Sequence, residues 1–105
     1  MAEGDRLFAS HGPWMEATHH RDGDKALLSY NVSKAPELSN PFDPSSEPTG
    51  NTCYILNEVY ETAAGVEDHF AKAMETWQDF PALAEWLGSC TVTGAAVAPI
   101  SNSLW

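Results

Sequence analysis

The sequence predicts a small α+β domain, an antiparallel sheet carrying helices on one face. Three observations predict it. Between residues 26 and 61, two runs rich in aliphatic, aromatic and β-branched residues flank a proline-rich stretch, as expected of two strands and their connection. Beyond Thr62 the apolar residues change to helical spacing. The 105 residues, 43% hydrophobic and 19% charged, suit one globular domain spanning the chain. A domain of this size buries well under three quarters of its unfolded surface, so shared burial in an oligomer would help it.

The N-terminal quarter admits two readings. Leu7, Phe8, Trp14 and Met15 recur seven apart, which favours a helix across 4–20, with Gly12-Pro13 kinking or restarting it. The other reading is a short strand from Arg6 to Ser10 and a helix from Pro13 to His20. Asp22-Gly23 turns the chain into a first clear strand, Ala26 to Ser33. Residues 34–51 hold four of the seven prolines and read as a long loop: a lid, a dimer arm or a mobile segment.

Thr52 to Glu61 is the better strand. One face carries Cys53, Ile55, Asn57 and Val59; the other carries Tyr54, Leu56, Glu58 and Tyr60. Both are largely apolar, which suggests cover on both sides. Thr62 can cap the following helix, whose buried stripe reads as Val66, Phe70, Ala73 and Trp77, with His69 at its border. Asp79-Phe80-Pro81 starts a second helix with Leu83, Trp86 and Leu87 inward, and Gly88 ends it. Cys90 to Ile100 reads as a last strand. Trp105 closes the chain, and a partner subunit is one place to bury it. With one opening strand added, this order is that of a ferredoxin-like α+β unit.

Net charge is −10, with five Lys plus Arg. Such a chain lacks the cations to neutralise a phosphate backbone or to hold an anionic membrane, so neither nucleic acid nor membrane is an expected partner. No apolar run reaches the roughly 20 residues of a membrane helix, and the N-terminus lacks a signal core, so the expected location is cytoplasmic. Cys53 and Cys90 read as small buried thiols rather than a disulfide framework.

"WMEATHHRDGDKALLSYNV" followed by "NTCYILNEVYETAAGVEDHFAKA" resembles the antibiotic-biosynthesis-monooxygenase-like family of dimeric α+β barrels. The matching positions are Gly23, Leu28-Ser29-Tyr30, Glu58-Val59-Tyr60-Glu61 and His69-Phe70, within residues 13–98. The resemblance implies a homodimer formed through the sheet faces and a modest apolar pocket in each subunit. It also implies an activity without metal or flavin, in which a bound phenolate passes an electron to dioxygen. One departure matters: a helix across 4–20 would leave no residues for the family's opening strand, and a missing central strand would strand backbone groups. That favours the short strand at Arg6 to Ser10.

The candidate catalytic residues are Glu58, His69 and Tyr60; the candidate substrate-binding residues are Tyr30, Tyr54 and Trp77. A carboxylate on a mostly apolar strand face has a raised pKa and can act as acid or base. The plainer alternative is a strand-end carboxylate bonded to a tyrosine, a backbone N–H or water. His69 could reach the sheet near Tyr60 or Tyr54, or be a half-buried boundary residue. "HHRDGD", His19 to Asp24, has metal-ligand residue types but no spaced partner, and reads as a solvated turn. Ser10-His11 has no triad context. No histidine falls in "AMETWQDF" where haem-degrading relatives place their iron ligand, so haem is not expected; the resemblance implies no other cofactor and no metal. The leading reading is a cofactor-independent monooxygenase-like protein for a small aromatic or quinone-like molecule. The alternative is a non-catalytic dimeric small-ligand-binding or stress-response domain.

Overall fold

A computed structural model of the chain describes residues 2–104; Trp105, expected above to be tied down, lies outside them. The described residues form an α+β arrangement of three helices and one antiparallel sheet of two strands. The order is α1 (Ala2–Thr18), β1 (Leu27–Leu38), β2 (Pro48–Tyr60), α2 (Ala63–Thr76) and α3 (Phe80–Leu87). No helix among the described residues is long and apolar enough to cross a membrane.

The N-terminal ambiguity resolves as one helix, and the short strand at Arg6 to Ser10 is not formed. Gly4, Leu7, His11 and Met15 are all buried and lie along one stripe, so both halves of the helix are anchored across Pro13. Pro13 itself is exposed, as is Ala9 four residues before it, so water can reach the carbonyl that the missing N–H leaves unbonded. At the other end, Lys72 donates to the Thr18 carbonyl at 2.7 Å, a cation where the helix dipole favours one.

Residues 34–51 are not one loop. β1 runs on to Leu38 and β2 begins at Pro48, leaving a short connection closed by Asn40 and Asp43. The Asn40 side chain accepts from Phe42 N–H at 3.1 Å and that of Asp43 from Ser45 N–H at 2.9 Å. The prolines misled because they exclude central strands, and in a two-stranded ribbon each strand is an edge. Pro36 sits beside the register shift before Leu38, where ladder bonds are interrupted anyway.

Tyr30 pairs with Glu58 and Lys34 with Tyr54, so these side chains share the face that meets the helices. The opposite face is largely open among the described residues: Ile55, opposite Ser33, is 61% exposed. The cover expected on both sides of β2 is therefore present on one. The expected last strand is also absent. Cys90 to Ile100 is irregular and exposed, so Cys90 is not a buried thiol, while Cys53 is partly covered.

Thr62 caps α2 as expected, accepting from Ala64 N–H at 3.2 Å. The buried stripe of α2 is Gly65, His69 and Ala73, continued by Trp77 just past its end. Phe70, expected inside, is 44% exposed. The rotation is set by Gly65: a Cβ there would stand 2.7 Å from the Tyr60 ring and 2.9 Å from the Lys25 carbonyl. This close approach seats α2 against β2 with His69 facing inward. The core proper is small: Leu7, Met15, Ala26, Ala73 and Trp77. Leu7 and Met15 are completely covered, worth about 2 kcal/mol each by the area they remove from water.

Candidate functional site: a buried histidine–glutamate–tyrosine centre

Between α1, β2 and α2 the interior is polar. His11, His19 and His69 are all buried, and each comes from a different place: mid-α1, just past α1, and mid-α2. His19 Nε2 and His69 Nδ1 lie 2.8 Å apart. Thr18 Oγ1 stands 2.9 Å from His19 Nδ1 and 2.7 Å from the Trp14 carbonyl. The carbonyl can only accept, so it takes the single hydroxyl proton. Thr18 then accepts from His19 Nδ1–H, which makes His19 Nε2 the acceptor for His69 Nδ1–H. His69, when neutral, is left with a bare lone pair on Nε2.

That lone pair faces Glu58, whose Oε1 is 3.8 Å away. The same oxygen accepts from the Tyr60 hydroxyl at 2.7 Å; the two residues are two apart on one strand and so share a face. Burial raises the Glu58 pKa, opposed in part by the Tyr60 hydrogen bond. Burial lowers that of His69, opposed by the nearby Asp68 charge. Burial thus biases both groups towards their uncharged forms, and they face one another across a gap that one proton or one cation would bridge.

His11 adds a third imidazole. Its Nδ1 lies 2.8 Å from the Tyr30 hydroxyl, and its ring meets Trp77 edge-on with centroids 4.9 Å apart. Burial, then the His69 and His19 charges, pull His11 down to about 4. Burial, then His69 and Lys72, pull His19 down to about 4. Burial first and Glu58 second push Tyr30 up to about 12. Tyr60 is raised by burial and by its bond to Glu58. Trp14 stacks on Trp77 with centroids 5.8 Å apart. Trp77 Nε1–H donates to Ser10 Oγ at 3.0 Å, and that hydroxyl donates to Asp79 at 2.6 Å.

Five of the six residues expected at the site therefore meet: Glu58, His69 and Tyr60 directly, Tyr30 and Trp77 through His11. Tyr54 does not. It lies further along the sheet between Phe8 and Trp86, its hydroxyl donating to Asp5 at 2.8 Å. Two members went unrecognised in the sequence, His11 and His19. His19 does not belong to a solvated turn; that description holds for His20, which is exposed. A usable signal was present for His11, which falls on the Gly4–Leu7–Met15 stripe. His19 had none, because its burial depends on the chain turning after Thr18.

A groove opens beside this centre, lined by Gly12, Met15, Glu16, Arg21, Leu27 and Tyr30 among others. Tyr30 therefore has its ring on the groove and its hydroxyl on His11. No protein-family model matches the chain, and no curated protein and no solved structure is detectably similar to it.

Proposed function

We propose that this domain binds a small aromatic or quinone-like molecule against the helix-covered side of its sheet and acts on it by proton transfer at Glu58 and His69. The phenolate so formed then reduces dioxygen, phenol and O2 giving quinone and water, which is the chemistry of the cofactor-independent monooxygenases that the sequence resembles. The observation that carries the reading is the facing pair, Glu58 Oε1 and His69 Nε2 at 3.8 Å with Tyr60 bonded to the carboxylate. Glu58 or His69 takes the phenolic proton, and Tyr60 steadies the carboxylate. The groove at Tyr30 is the approach, with Arg21 on its rim to attract an anionic ring substituent. Oxygen uptake with a panel of phenols tests it. Wild type is expected to consume oxygen, and Glu58→Gln and His69→Ala to lose about 100-fold or more of that rate. Absence of uptake with every phenol would overturn it.

A second reading, a non-catalytic small-ligand-binding domain on the same scaffold, is favoured by the location of the groove, whose lining does not include Glu58 or His69. Both readings include a homodimer joined through the open sheet face. The chain supports this with its small core, the exposed Ile55, and a radius of gyration of 15.4 Å against about 13 Å for a compact domain of this length. Light scattering at micromolar concentration is expected to give twice the 11.4 kDa chain mass; a monomer would remove the barrel from the account.

A further inference from the structure

The hydrogen-bond order of the centre leaves His69 Nε2 aimed at a carboxylate with no proton between them. His11 brings a third donor to the same place. One ligand atom each from His11, Glu58 and His69 lie within 4.8 Å of one another, and the His69–Glu58 pair is already at 3.8 Å. We propose that His11, Glu58 and His69 form a binding site for a divalent first-row transition-metal ion. This goes beyond the acid–base reading and does not rest on it.

The donor set selects the class of ion. Two imidazoles and one carboxylate, with room for a fourth ligand, is the set used by zinc hydrolases and by mononuclear iron enzymes. Magnesium and calcium prefer oxygen alone, and copper(I) prefers thiolate. Cys53 pairs with Ala35 on the outer face of the sheet and is not part of the set. Ligands at about 2.0–2.1 Å from a tetrahedral ion stand roughly 3.3 Å apart, so the His69–Glu58 pair must close in by about 0.5 Å and the widest pair by up to about 1.5 Å.

The surroundings also fit. Metal-bound histidines hold their second ring nitrogen in a hydrogen bond that fixes the tautomer. His69 does so through His19, which is itself held by Thr18. On His11 the Tyr30 hydroxyl occupies Nδ1, so Nε2 is the nitrogen it has left to offer. Glu58 is oriented by Tyr60, and the Trp14 and Trp77 rings pack beside the two histidines. The other histidine–carboxylate pair, His20 and Asp68 at 3.9 Å, differs in kind: it is exposed, and Lys72 at 2.8 Å already supplies Asp68 with a cation.

The test uses the full, untagged chain after chelator treatment. Cobalt(II) is titrated while its visible d–d bands are followed, with zinc(II) binding measured in parallel by calorimetry. The expected result is one ion per chain with micromolar or tighter affinity. His69→Gln and His11→Gln should each weaken binding by about ten-fold or more with wild-type far-ultraviolet circular dichroism, while His20→Gln leaves it unchanged. No cobalt bands in the wild type, or binding lost with His20 and kept without His69, would overturn the proposal. Should the glutamine variants fail to fold, X-ray absorption on the zinc-loaded wild type decides: two imidazoles support the site and none overturns it. Oxygen uptake measured with chelator present separates the two readings, since it can succeed or fail without altering the metal titration.

Discussion

Trp77→Ala is expected to destabilise the domain by about 3–5 kcal/mol, the range for deleting a buried aromatic. Trp77 is 5% exposed and joins three groups: the stacked Trp14 ring, the His11 edge and the Ser10 hydroxyl. A small domain has roughly 5–15 kcal/mol in all, so the variant would stand near unfolding. Trp77→Phe keeps an aromatic ring but loses part of the indole and its Nε1–H donor to Ser10, and should cost about 1–3 kcal/mol. Urea unfolding followed by far-ultraviolet circular dichroism measures both. A loss below about 1 kcal/mol for the alanine variant would mean that the aromatic layer does not organise the interior.

Stability is expected to fall as pH drops from 6.5 towards 4, in buffer containing a chelator. A histidine held neutral in the fold binds its proton more readily when unfolded. The stability it contributes is fully present above the ordinary value of 6.5 and is lost as pH falls through the folded value, about 4 for His11 and for His19. His69 shifts in the same direction. Glu58 opposes them: its raised pKa favours the folded state as pH falls. Three imidazoles against one carboxyl leave a net loss of stability as pH falls towards about 4.5. The stabilising contributions of carboxylates with lowered values, Asp5, Asp68 and Asp79 among them, are lost only at lower pH. Urea midpoints across pH 4–8 check this. A flat profile would mean that the three histidines are not sealed from water in the fold.

Local chemistry made much of the scaffold legible. The face shared by Glu58 and Tyr60 follows from strand alternation, and their 2.7 Å bond is its consequence. Thr62 was readable as a cap because its hydroxyl stands just before a helical apolar pattern. What was not legible depended on distant partners. The inward rotation of His69 in place of Phe70 is set by the Tyr60 ring and the Lys25 carbonyl pressing on Gly65, which no window of α2 alone contains. The Pro36 and Pro48 positions read as loop because proline rules assume neighbours on both sides of a strand, and this ribbon has none. Cys90 to Ile100 has strand-like residues, but among the described residues it has no strand beside it to supply the ladder, and residue type alone does not make a strand.

The central claim is that His69 presents an unprotonated Nε2 to Glu58 inside the fold. Nitrogen-15 spectra of the imidazoles of the chelator-treated wild type at pH 7 test it most directly. The predicted result is a neutral His69 with its proton on Nδ1 and a bare Nε2, coupled through that proton to His19. A His69 protonated on Nε2, or present as the imidazolium, would contradict it.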